Sequence, residues 1–307
     1  MRESAPSGLT RRGFLDTALR AAGAWMLVLA APRASAQDRP GPPARWSPPR
    51  PRGLCFLPDG GAIVTAADDD GYVLLRVSPD GASVSTLVPV HPAEEDGLNL
   101  PTKLARWGDE QIAVVDTNRC RIRIYGLDGT PARTVGAPGF TPGRFHYPQG
   151  LAVSEGLLWV ADTGNHRVQA VDKYGGVDRV IGMLGDAPDR FRRPRDLARL
   201  KDGTLLVLDE GHAAVKCFDD SGHLRARIEL PGGGFARADA LAVDEDRGWV
   251  CVAMSGLGRV LVFGLDGRAR GAGLTGVAAS ALAFHPDGRL GVADLEGGRV
   301  AFYDLRG

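Results

Sequence analysis

Pro148-Gln149-Gly150-Leu151-Ala152-Val153 (PQGLAV) opens a unit that the chain repeats. Related openings stand at Pro51 (PRGLCF), Pro101 (PTKLAR), Pro194 (PRDLAR), Ala238 (ADALAV) and Ala279 (ASALAF). Their anchoring leucines, Leu54, Leu104, Leu151, Leu197, Leu241 and Leu282, are spaced by 50, 47, 46, 44 and 41 residues, which makes six copies. Self-similarity at a period of this length marks a repeat architecture and governs how every shorter motif is read.

Each copy has the same internal grammar. A short apolar run leads into a turn such as Pro58-Asp59-Gly60, Lys201-Asp202-Gly203 or Pro286-Asp287-Gly288. A second run, LLWVAD or TLLVLD, has the β-branched and apolar content of a buried strand. A polar hairpin, a third run such as RVLVF and a further Asp-Gly turn (Asp80-Gly81, Asp128-Gly129, Asp266-Gly267) follow. A fourth, more polar run completes most copies. Four strands at this period predict an all-β chain, a six-bladed β-propeller of four-stranded antiparallel blades. High Gly and Pro usage, 42 and 21 of 307 residues, agrees with many turns and few helices.

Two segments precede the propeller, which is placed at residues 50–307. Residues 1–36 read as a twin-arginine signal peptide. Thr10-Arg11-Arg12-Gly13-Phe14-Leu15 is followed by an apolar run from Ala21 to Ala31 and a small-residue cleavage pattern at Ala34-Ser35-Ala36. That run is too short to span a bilayer. The mature chain is therefore expected outside the cytoplasm, periplasmic or secreted, with no membrane span. Without residues 1–36 it has 32 basic and 35 acidic residues, a net charge of −3. The Pro-rich segment 37–49 is expected to close the ring. Copy six reaches Asp304-Leu305-Arg306-Gly307 where its fourth strand should begin, and an unpaired edge is a liability. The PPARWSPPR stretch, residues 42–50, has no other strand to join, and its prolines suit an outer edge.

On these residues the chain resembles a known family. FHYPQGLAVSEGLLWVADTGNHRVQAVDKYGG, residues 145–176, looks like an NHL repeat, and the other copies are more degenerate versions of it. The resemblance implies a six-bladed propeller. It implies no single activity, because the family includes RNA binders, protein-interaction scaffolds and lyases.

The polar knot Asp162-Thr163-Gly164-Asn165-His166-Arg167 has the composition of an active site, but the repeat argues otherwise. Aligned on the second strand, the copies place Ala67, Asp116, Asp162, Asp209, Met254 and Asp294 at one position. Five residues later stand Tyr72, Arg121, Arg167, Ala214, Arg259 and Arg299. A group that recurs in several blades serves the blade, so the Asp and Arg are read as turn residues. His166 belongs to copy three alone.

The informative residues are those that break the repeat. The loop leading into each first strand lies nearest the axis, and its last position reads Arg52, Thr102, Gln149, Arg195, Asp239 and Ser280. Neighbouring positions add Arg50, Lys103, His146, Arg192, Arg193 and Arg237. A mouth rich in cations suits a carboxylate or phosphate. Arg52, Lys103, Gln149, Arg193, Arg195, Asp239, Ser280 and His146 are therefore the expected ligand-binding residues. Arg52 and Arg195, in blades one and four, are expected to dominate from opposite sides.

The acidic stretches Asp68-Asp69-Asp70 and Glu94-Glu95-Asp96 with Asn99 have Ca²⁺-type oxygens but read as solvated loops. Cys55, Cys217 and Cys251 read as buried thiols on strands, and no cysteine spacing suggests a metal site. No metal or cofactor is expected.

Two function classes follow. One is a monomeric, rigid binding platform for an anionic small molecule, peptide, glycan or envelope protein, with no nucleic acid. The other is a lyase or hydrolase like the amidating lyases or lactonases built on related propellers. Such lyases use three histidines converging on zinc, and of the histidines only His146 occupies a first-strand loop. No nucleophile elbow, Walker loop or HExxH occurs. The binding class is the better match to these residues.

Overall fold

A computed structural model of the chain describes residues 50–67, 71–89, 97–233, 236–271 and 273–305. Residues 1–36, expected to be a signal peptide, the segment 37–49, and the Asp68–Asp70 and Glu94–Asp96 clusters lie outside the described residues.

Six antiparallel sheets follow one another along the chain, five of four strands and a sixth of three, each with its strands in sequence order. Blade three shows the pattern: Gly150–Ser154 innermost, then Leu157–Asp162, Arg167–Val171 and Val177–Ile181. The second strand of each blade is packed by neighbouring blades on both faces. Its polar alternation is therefore lost: Ala62–Ala67 and Leu205–Asp209 are buried throughout. The outer strand keeps one face in solvent, as in Pro131–Val135, where only Val135 is buried. Blade six consists of Ala279–Phe284, Leu290–Asp294 and Arg299–Tyr303, with no fourth strand among the described residues.

The Asp-Gly turns share one mechanism. The Asp side chain accepts the amide two residues on, and the intervening Gly adopts a left-handed conformation. Asp59 takes Gly61 N–H at 2.8 Å with Gly60 at φ 87°, and Asp128 takes Thr130 N–H at 3.0 Å with Gly129 at φ 87°. Any side chain at those glycines would be strained.

The core is divided among the blade interfaces. Six apolar clusters are found, one at each junction between neighbouring blades. The last joins Leu54, Ala62, Val64 and Val77 of blade one to Ala281, Ala293 and Val300 of blade six, closing the ring. Partly buried Phe56 and Phe302 pack against this seam, their ring centroids 5.5 Å apart.

The cysteines are free, and Cys55, Cys217 and Cys251 sit on strands as expected, the last two buried and Cys55 only half-buried. Burial pushes the Cys55 thiol up to about 11 and the Cys217 thiol up to about 12, which makes both poor nucleophiles. Cys120 instead occupies the turn after the second strand of blade two, at φ 52°.

Candidate functional site

Backbone contacts fix which loops share a face. The hairpin after each second strand bonds the loop leading into its own blade, as in Gly164 N–H to His146 O at 2.8 Å and Glu210 N–H to Arg193 O at 3.0 Å. Gly256 N–H to Arg237 O and Leu295 N–H to Ala278 O repeat the contact in blades five and six, at 3.3 and 3.1 Å. First-strand loops and these hairpins therefore form one rim.

The recurring knot builds that rim. Asp162 is fully buried. Its Oδ1 accepts His146 N–H at 2.7 Å, and its Oδ2 takes Arg167 Nε at 2.8 Å and Gln169 Nε2 at 2.9 Å. Asp116 does the same with Asn99 N–H at 2.6 Å and Arg121 Nε at 2.7 Å. The acid thus tethers the loop entering its blade and holds its own hairpin arginine. Asp209, which has Ala214 where the others have Arg, is compensated from two residues further on by Lys216, 2.9 Å away and completely buried. His166 occupies a left-handed corner, φ 56°, that Cys120, Ala213 and Gly258 fill in other blades. The knot is structural.

At the centre of the rim, Arg52, Thr102, Gln149, Arg195, Asp239 and Ser280, one from each blade, line a single cavity of about 290 Å³ together with Lys103, Asp196, Arg237, Ser255 and Glu296. His146 and Arg193 do not line it. His146 packs at a tilt between Phe140 and Tyr147 at the periphery, and Arg193 faces a separate open cleft with Leu184 and Asp186.

The charges in this cavity are largely paired. Arg195 Nη2 lies 2.7 Å from Asp239 Oδ1, and Arg195 Nη1 lies 3.5 Å from Glu210 Oε2. Asp239 also takes Arg237 Nε at 2.8 Å and the Ser255 hydroxyl. Lys103 Nζ lies 2.6 Å from Asp196 Oδ2. The hydroxyls of Thr102 and Ser280 donate to the carbonyls of Gln149 and Pro51, at 3.0 and 2.6 Å. Arg52 is different. Among the described residues no acid pairs with it, and its Nε is buried without a hydrogen-bond partner. A desolvated, unpartnered guanidinium donor is costly unless something else satisfies it.

Asp196, Glu210, Ser255 and Glu296 were not among the expected site residues. For Asp196 a signal existed. In the position before each anchoring leucine the blades carry Gly53, Lys103, Gly150, Asp196, Ala240 and Ala281, so two opposite charges replace small residues. The small residues are required by close approach: a Cβ on Gly53 would fall 2.8 Å from the Thr102 carbonyl oxygen, and one on Gly150 would fall 2.6 Å from Asp196 Cα. Lys103 also lines a second cavity of about 550 Å³ at the opposite end of the inner strands, so the Lys103–Asp196 pair stands between the two.

Fold and site together define a six-bladed β-propeller with a polar axial cavity. The NHL repeat model matches residues 145–170, within blade three. No curated protein sequence matches the chain. Solved structures are similar at low identity. A catalytically inactive virginiamycin B lyase from Staphylococcus aureus with quinupristin is 12% identical over 85% of this chain and 86% of its own, with a TM-score of 0.60. Kuenenia stuttgartiensis hydrazine synthase is 13% identical over 83% of this chain and 95% of that one, TM-score 0.59. The nidogen/laminin complex is 17% identical over 71% and 78%, TM-score 0.58. At these identities the likeness is one of fold.

Proposed function

We propose that the protein is an exported binding platform whose axial cavity takes an anionic group, on a small molecule, peptide, glycan or envelope partner, at Arg52. The observation that carries this reading is the unpaired Arg52 guanidinium in a cavity where the other buried cations have acidic partners. Arg195, the other expected anchor, is committed to Asp239 and Glu210 and acts as scaffold. Gln149 adds a neutral amide to the lining. Export rests on the Arg11-Arg12 motif and the Ala34-Ser35-Ala36 site. Protein binding is in keeping with the nidogen/laminin likeness, and lyase chemistry with the virginiamycin B lyase likeness. The binding reading is preferred because none of the described histidines lines the cavity.

The test is titration calorimetry of acidic peptides, uronic-acid glycans and phosphorylated compounds against the parent and Arg52→Ala. A charge-assisted bond contributes about 1.5–3 kcal/mol, so truncation should weaken binding roughly tenfold to a hundredfold. Equal affinity in parent and variant, at low and high salt alike, sinks the proposal.

A further inference from the structure

The cavity contains a second unmatched charge. Glu296 lies on the hairpin after the second strand of blade six, is exposed, and lines the same cavity as Arg52. Among the described residues no cation pairs with it. Blade six adjoins blade one, so the two unmatched groups occupy one arc of the mouth, yet they form no ion pair with each other. The neighbouring arc of blades four and five is saturated, with Asp239 bound by Arg195, Arg237 and Ser255. A ligand bearing only a negative charge would meet Arg52 and be repelled by Glu296. A ligand bearing only a positive charge would meet the reverse.

Resting on the Arg52 reading above, we infer that the cavity is built for a small zwitterion, with its carboxylate at Arg52 and an ammonium at Glu296. A free amino acid or very short peptide is the chemical class. The size agrees, since about 290 Å³ is at the low end of ligand cavities. So does the rest of the lining: Ala240, Ala278, Ala279, Ala281 and Leu295 offer a small aliphatic surface to the body of such a ligand.

The experiment uses three probes of similar size: glycylglycine, N-acetylglycine, which is an anion only, and glycinamide, which is a cation only. Binding is measured by calorimetry to the parent, Arg52→Ala and Glu296→Gln. Glycylglycine should bind the parent at least tenfold more tightly than either singly charged probe. Glu296→Gln should abolish that preference while leaving or improving N-acetylglycine binding, and Arg52→Ala should weaken both carboxylate-bearing probes. If N-acetylglycine binds as tightly as glycylglycine and Glu296→Gln changes neither, the zwitterion inference falls and the anion reading stands. If no probe and no larger anion binds the parent, both fall.

Discussion

Lys103 Nζ lies 2.6 Å from Asp196 Oδ2, joining blades two and four through the middle of the ring. Asp196 is 2% exposed, and the same carboxylate oxygen accepts Leu241 N–H at 2.8 Å from blade five. Lys103 in turn donates to the Leu241 carbonyl at 3.4 Å. Three blades therefore meet at one buried ion pair, where an ordinary propeller strand of this chain has Gly or Ala.

Removing one partner strands the other. Lys103→Ala or Asp196→Ala alone should cost about 3–5 kcal/mol, because a buried charge is left uncompensated. The double replacement with alanine, the residue that blades five and six carry there, should be more stable than either single variant. Urea denaturation in a double-mutant cycle measures this coupling. Additive effects of the two singles would show that the pair is not a unit.

Lys216 offers a second case. It and Asp209 are both fully buried, 2.9 Å apart. Lys216→Met should cost about 3–5 kcal/mol on the same grounds. In blade three the equivalent Gln169→Ala should cost less, about 1–3 kcal/mol, since it removes no charge and Asp162 keeps Arg167. Thermal melts of the two variants side by side decide it, and equal losses would contradict the compensation argument.

Acid titration should single out Asp287. Burial alone opposes its ionisation, but the Arg289 side chain and amide and the His285 ring outweigh that and hold the carboxyl at about 2, from 3.8. Its folded pKa lies below its unfolded one, so its contribution to stability is complete above the unfolded value and is lost as pH falls from there towards 2. Carboxyl NMR should show the low midpoint, moving upward in Arg289→Ala. An Asp287 midpoint at the ordinary carboxylate value would refute the assignment.

Closure of the ring by residues 37–49 is a proposal, made specific by the three strands described in blade six. Arg50 itself lies at the start of blade one, its carbonyl 3.3 Å from the Ala67 amide, so a covering strand from the N-terminal side would come from residues before it. Deleting residues 37–49 should lower the melting temperature and promote aggregation through the open edge. A deletion variant that melts like the parent would show that the seam is sufficient.

The fold was legible in the sequence because a repeat states its rule several times. Six leucines in register, the Asp-Gly turns and the Asp-to-Arg spacing each report on local backbone, and local backbone depends on residue type. The same register placed Arg52, Thr102, Gln149, Arg195, Asp239 and Ser280 around one axis, and all six line one cavity. Which of those charges is available was not legible. Arg52 and Arg195 are equivalent in sequence, yet Arg195 is held by Asp239 of the next blade, 44 residues on, while Arg52 has no such acid among the described residues. Lys103 finds Asp196 only because the ring brings residues 93 apart together. Local pattern determined the blades and their order. The pairing of charges across the axis depends on distances that exist only once the ring has closed, so tertiary structure alone decided it.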